Sequence, residues 1–284
     1  MAMLTLDRWN LPIGDGQPLV VIAGLNVLED LELALQVGRD LKAVTGELGL
    51  PYVFKASFDK ANRSSIASYR GPGLEEGLEM LRAVKAELNV PICTDLHEVS
   101  QAAAVAAVAD LVQIPAFLCR QTDLVIAAAR ATRAAGGLLH VKKGQFLAPQ
   151  DCRSILDKVR EATGADMTIL CERGVSFGYG NLVVDMLGIP LMQELGAPVS
   201  IDATHAVQLP GAQVGSNGGA STGGRRSGVP VIARAAVAAG ADAVFLEFHP
   251  EPDQALCDGP SALPLSAARG LLSQLKALRE LHIR

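Results

Sequence analysis

Three cations and several hydroxyl and amide donors fall within eleven residues of this chain, Lys55-Ala-Ser57-Phe-Asp59-Lys60-Ala-Asn62-Arg63-Ser64-Ser65. The run directly follows the apolar Tyr52-Val53-Phe54. A phosphate or carboxylate gives up its hydration only where charged donors replace water at close range. Lys and Arg beside Ser and Asn do this through charge-assisted hydrogen bonds. Most charge runs are merely solvated loops, but loops set by a rigid strand are where function concentrates. The run therefore predicts an anion site.

Other polar residues stand at the ends of short apolar runs: Asn26, Asp95 with His97, Gln113, Lys142 with Lys143 and Gln145, Arg173, Asp202 with His205, and Glu247 with His249. In a chain with only 19% charged residues, polar groups at every such end point to one convergent site. Lys142 and Lys143 are adjacent, so a continuing strand sends them to opposite faces and leaves one of them structural. Asp95 and His97 return to the same face, as a simple hydrogen-bonded pair or as functional groups. Arg173 either pairs with an acid or binds an anion through its fork, and two nearby lysines favour the second. His205, Glu247 and Asp258 are either three metal ligands or an acid–base network. The residue types alone leave both open.

The elements that position these groups read as alternating strands and helices. Strands are expected at Leu19–Gly24, Tyr52–Ala56, Pro91–Asp95, Leu111–Pro115, Leu138–Lys142, Met167–Glu172, Val199–Ala203 and Ala243–Phe248. Helical periodicity covers roughly 29–48, 74–88, 98–108, 121–135, 150–162, 182–195, 229–239 and 264–281. Ser100 and Thr122-Asp123 are expected to cap early helical turns, and Gly136-Gly137, Gly164 and Gly240 to end helices. Eight strand-then-helix units predict an α/β fold of the (β/α)8 TIM-barrel type, in which active sites form at the carboxyl ends of the strands. An open doubly wound sheet is less favoured, since no Gly-x-Gly-x-x-Gly follows the first strand. The glycine-rich stretch 209–228 is expected to be a lid over the barrel mouth, and the first eighteen residues to cover the opposite end.

Length and composition agree with a single domain spanning 1–284. Hydrophobic residues make up 49% and aromatics only 4%, so the core must be aliphatic. A net charge of −5 argues against a nucleic-acid binder, which shows a broad basic surface. Five scattered cysteines without a CxxC pair indicate neither a disulfide framework nor a zinc ribbon. No apolar run approaches a membrane span and no signal-like segment opens the chain, so a cytoplasmic protein is expected.

Over nearly its whole length the sequence resembles the 3-deoxy-D-manno-octulosonate 8-phosphate synthases. The resemblance is carried by Gly24 to Glu29, Tyr52 to Gly73, Thr94 to Glu98, Gln113 to Asp123, Val141 to Phe146, Leu170 to Gly174, Phe177 to Gly188, Asp202 to Ala206 and Cys257 to Pro264. Lys60-Ala-Asn62-Arg63-Ser64-Ser65 and Cys257-Asp258-Gly-Pro-Ser-Ala-Leu-Pro-Leu265 are highly specific strings. The resemblance implies a transferase that condenses phosphoenolpyruvate with D-arabinose 5-phosphate for lipopolysaccharide synthesis, in the cytoplasm and as a homotetramer. By motif, Lys60, Gln113, Lys142 and Arg173 would hold phosphoenolpyruvate, with Ala116 and Phe117 lining its pocket. Asn62, Arg63 and Ser64 would hold the sugar phosphate, with Arg120 reaching in from a neighbouring subunit and Lys55 lying between the substrates. Ser57 and Gln145 complete the expected binding set. Asn26, Lys55, Asp95, His97, Lys142, His205, Glu247 and Asp258 form the expected catalytic set.

The family has a metal-dependent class with Cys at position 26 and a metal-independent class with Asn. Asn26 implies the second, because an amide oxygen is a poor zinc or iron ligand beside a thiolate. No divalent metal and no other cofactor is therefore expected. The chain departs from the usual pattern at Gly144, where Pro is usual, at Ala203, where Val is common, and in the length of 209–228. Rival readings are a related synthase acting on erythrose 4-phosphate, a Schiff-base aldolase using Lys55 or Lys142, and a non-catalytic sugar-phosphate binder.

Overall fold

The computed structural model describes residues 3–63, 66–209 and 223–282, so Ser64 and most of the expected lid lie outside the described residues. Eight parallel strands form the centre: β1 (Val20–Val27), β2 (Tyr52–Ser57), β3 (Ile92–Asp95), β4 (Leu111–Ile114), β5 (Leu138–Lys142), β6 (Thr168–Glu172), β7 (Val199–Asp202) and β8 (Ala243–His249). They pair in sequence order, and β8 pairs back onto β1 from Ala243↔Val20 to Glu247↔Gly24, so the sheet closes. Around it run α1 (Leu31–Leu48), α2 (Leu74–Leu88), α3 (Ala102–Ala106), α4 (Thr122–Ala135), α5 (Arg153–Thr163), α6 (Gly188–Gln193), α7 (Val229–Ala238) and α8 (Ala268–His282). This is the expected (β/α)8 barrel. Every residue of β1 and β8 is buried, as parallel strands covered by helices require.

β1 runs past its expected end because a bulge between Gly24 and Val27 lets it continue to Val27, past Asn26. Gly24 is required there, since a Cβ would lie 2.1 Å from the Lys55 carbonyl oxygen. Asp30 caps α1 by accepting a hydrogen bond from Leu33 N at 2.8 Å. Gly49, Asn89, Gly136 and Gly164 end α1, α2, α4 and α5 in the left-handed conformation. Ser100 and Thr122 do not cap: Ser100 bonds to Glu98, and Gln101 Oε1 accepts from His97 N at 2.8 Å instead.

The largest departure is at 182–195. Leu182–Val183 pairs antiparallel with Val175–Ser176, leaving only Gly188–Gln193 helical. Gly178 and Gly180 at positive φ turn the chain into this hairpin, and Asp185 Oδ1 accepts from Leu187 N before the helix starts.

A hairpin of Met3–Leu6 and Leu11–Gly14 buries Leu6 and Ile13 at the end where the strands begin. Arg279 of α8 fastens it there. Its guanidinium donates to Gly14 O at 2.8 Å, Gln17 O at 3.0 Å and Asp242 Oδ1 at 3.0 Å, just ahead of β8. Among the described residues no helix is long and apolar enough to cross a membrane.

Candidate active site

A cavity of about 410 Å3 opens at the carboxyl ends of the strands. Its wall includes Lys60, Asn62, Arg63, Asp95, His97, Gln113, Ala116, Phe117, Lys142, Gln145, Arg173, His205, Gln208 and Asp258. Most of the expected site residues thus meet in one place, of a size for small phosphorylated molecules. Asn26, Lys55 and Glu247 do not line it but lie beneath, buried. Ser57 is also buried, and its hydroxyl has no partner among the described residues. Arg120 is exposed and takes no part in the wall of this chain's cavity.

Strand pleating explains the two layers. Lys142 and Lys143 diverge: Lys142 Nζ turns inward to Asp202 Oδ2 at 2.6 Å and over the Phe245 ring, 3.9 Å from its centre. Lys143 lies 3.4 Å from Glu172 Oε1 and donates to Leu147 O at 3.3 Å. Beneath the cavity, Lys55 Nζ donates to Glu247 Oε1 at 3.0 Å and Asn26 O at 3.1 Å. Asn26 Nδ2 donates to Glu247 Oε2 at 2.6 Å and Asp258 Oδ2 at 3.4 Å.

The cavity's cations are held by a chain of polar contacts. Arg63 Nη1 donates to Cys257 Sγ at 2.6 Å and Asp258 Oδ1 at 3.4 Å. Gln208 Nε2 donates to Asp258 Oδ2 at 2.9 Å, and Gln208 Oε1 accepts from Arg173 at 3.1 Å. Lys60 is half-buried and lines the cavity. Burial opposes its charge, but Glu247, Asp95, Cys257 and Asp258 outweigh this and raise its pKa, so it faces the cavity as a cation. Burial would likewise raise the Glu247 carboxyl, yet His205, Lys55, Lys60 and Lys142 bring it down to about 2. Asp95 and Asp202 are held well below the carboxylate range against their burial, by His97 with the lysines and by His205 with Lys142 respectively.

Two Asp–His pairs complete the wall. His205 Nδ1 lies 2.9 Å from Asp202 Oδ2, leaving Nε2 at 3.7 Å from Glu247 Oε2 and 3.9 Å from Asp258 Oδ2. His97 Nε2 is 3.2 Å from Asp95 Oδ2. Such an arrangement can bind more than one oxyanion and move protons beside them. Among the described residues no three His, Cys, Asp or Glu groups are grouped to hold a metal ion, and the amide donor of Asn26 sits between the Glu247 and Asp258 carboxylates.

Sequence reasoning missed Gln208, which bridges Arg173 and Asp258, because it stands at the edge of the glycine-rich stretch. It also missed His140, although its place two residues before Lys142 on β5 was a usable signal for an inward polar group.

A profile described as the DAHP synthetase I family matches residues 3–283. The chain is 52% identical over 281 residues to a protein from Shewanella piezotolerans named 2-dehydro-3-deoxyphosphooctonate aldolase, covering 99% of this chain and 96% of that one. Proteins of the same name from Pseudomonas fluorescens and Hahella chejuensis are 52% and 53% identical over the same shares.

Proposed function

The chain belongs to the DAHP synthetase I family, and from that premise we propose that it condenses phosphoenolpyruvate, D-arabinose 5-phosphate and water to 3-deoxy-D-manno-octulosonate 8-phosphate and phosphate. The observation that carries this reading is the convergence of Lys60, Lys142, Arg173 and Gln113 with Asn62 and Arg63 on one cavity. Two multiply charged anions repel each other, and fixed cations are needed to bring them into contact.

Lys60, Lys142, Arg173 and Gln113 hold the phosphate and carboxylate of phosphoenolpyruvate, with Ala116, Phe117 and Gln145 beside them. Asn62, Arg63 and Ser64 hold the phosphate end of the sugar. C3 of the enol attacks the aldehyde carbon while water adds at C2; the aldehyde oxygen gains a proton and the water loses one. C–O cleavage at C2 then expels phosphate. The Asp202–His205 and Asp95–His97 pairs are placed to move these protons.

The reaction needs no divalent metal. In support, Asn26 meets Glu247 and Asp258 with an N–H donor, where a metal site would need a ligand atom. Dialysis against a strong chelator should leave activity intact; loss restored by added metal would overturn this. The protein acts in the cytoplasm, in the supply of lipopolysaccharide precursor, as a tetramer in which Arg120 completes a neighbour's site. The sequence Lys60-Ala-Asn62-Arg63-Ser64 favours arabinose 5-phosphate over erythrose 4-phosphate, whose synthases usually show Lys-Pro-Arg-Thr-Ser there. Phosphate release that requires both phosphoenolpyruvate and arabinose 5-phosphate tests the whole reading. Release with erythrose 4-phosphate instead, or with phosphoenolpyruvate alone, would refute it.

A further inference from the structure

Strand β5 carries a histidine that the reaction above does not use. His140 shares the inward face of Lys142, is fully buried, and stacks on the Phe245 ring at 14° and 6.1 Å. Its Nδ1 lies 3.2 Å from Oε1 of Gln113, and its Nε2 lies 2.8 Å from Ser200 Oγ on β7. Gln113 lines the cavity from the neighbouring strand β4.

A neutral imidazole has one donor and one acceptor, and two arrangements satisfy it here. In the first, Ser200 donates to Nε2, the ring donates from Nδ1 to the Gln113 carbonyl oxygen, and the Gln113 NH2 is left for the cavity. In the second, Ser200 donates to Leu170 O, the ring donates from Nε2, and the amide turns over so that its oxygen faces the cavity. Ser200 Oγ keeps its 2.8 Å contact with the ring nitrogen in both, and its 3.3 Å contact with Leu170 O is open to it in the second. The cavity selects the first: it carries Lys60, Lys142 and Arg173, which select an anion, and an amide N–H complements an anion where an amide oxygen repels it. Burial, reinforced by Lys142, lowers the ring's pKa to about 3, so the ring stays neutral and keeps a bare nitrogen for Ser200.

We propose that His140 is a positioning residue: as its Nδ1–H tautomer it fixes the Gln113 amide so that the NH2 meets an oxyanion of the bound ligand. This rests on the reading of the cavity as an anion site, and names what orients one of its uncharged donors.

Nitrogen-15 NMR of the ring-labelled full chain at neutral pH, with the signal assigned by its loss in His140→Asn, should show a neutral ring protonated on Nδ1. A proton on Nε2, or a charged ring, overturns the proposal whatever the reaction proves to be. Kinetics supply a second arm. His140→Phe keeps the stacked ring without a donor, and should raise KM for phosphoenolpyruvate about tenfold while kcat stays within about twofold. Asn places an amide nitrogen where Nδ1 stands, so His140→Asn should bring KM back to within about threefold of the unmodified protein. An unchanged KM in His140→Phe, or an equal loss in both variants, overturns the proposal. Should His140→Phe not fold, the tautomer and the Asn variant still decide. An unmodified protein that turns over no phosphoenolpyruvate with arabinose 5-phosphate would refute the reaction and leave the tautomer to judge His140.

Discussion

At position 26 the identity of one side chain separates two chemistries. The Asn26 amide donates toward Glu247 and Asp258, and a thiolate there would instead add a third anion facing His205. With Asn26 in place these groups are not set to hold an ion, but His205 Nε2 stands 3.7 and 3.9 Å from oxygens of Glu247 and Asp258, and a thiolate at 26 would add a fourth donor facing them. Asn26→Cys should therefore bind about one zinc ion per chain in equilibrium dialysis; no bound metal would count against it. Titration gives a second expectation. Unfolded His140 takes its proton near its ordinary 6.5, whereas the folded ring resists until about 3. Unfolded Glu247 does so near 4.5, and the folded group near 2. In each case the unfolded chain binds more protons within that window, so stability is present above it and is lost as pH falls through it. Tm should thus decline from about pH 6.5, more steeply below about 4.5, where Asp95 and Asp202 join. His140→Asn should flatten the stretch between 6.5 and 4.5, and an unchanged slope there would assign it to other groups.

Elements were legible where one physical signal dominated. The short runs of β2, β5 and β8, mostly apolar with a polar residue near the carboxyl end, read as buried parallel strands, and Gly136 and Gly164 marked helix ends that geometry confirms. Legibility failed where short apolar runs carry no period of their own. Leu182-Val183 became a hairpin edge because two glycines upstream turn the chain, a pairing that local sequence does not encode. The end of β1 was misplaced for a related reason, since its bulge depends on how closely β2 approaches. At that approach Gly24→Ala should cost about 2–3 kcal/mol in urea unfolding, because its methyl would meet the Lys55 backbone rather than a side chain that can move. The same displacement would part Lys55 from Asn26 O, so activity should fall with stability. A substitution at the α1 cap offers the contrast: Asp30→Ala removes one exposed hydrogen bond and should cost only about 1 kcal/mol, with activity kept.

Across the whole molecule, what the sequence concealed is long-range. The cations around residue 60 were visible as a run, but that Arg63 shares Asp258 with Gln208, which in turn holds Arg173, follows only from barrel closure. Arg120 makes the opposite point, since it is prominent in its motif yet exposed and outside its own chain's cavity. If it serves a neighbour, Arg120→Ala should lower activity about tenfold at low arabinose 5-phosphate without shifting Tm. Mixed assemblies of Arg120→Ala and Arg63→Ala chains should then show more activity than either variant alone; no such gain would count against Arg120 acting in a neighbour's site. Closure also imposes an order in time. β1 pairs on one side with β8, more than two hundred residues later, and Arg279 joins the opening hairpin to the start of β8. While the chain is being synthesised, β1 therefore presents an unpaired edge until β8 has emerged, and the nascent barrel depends on shielding from its neighbours for most of its translation.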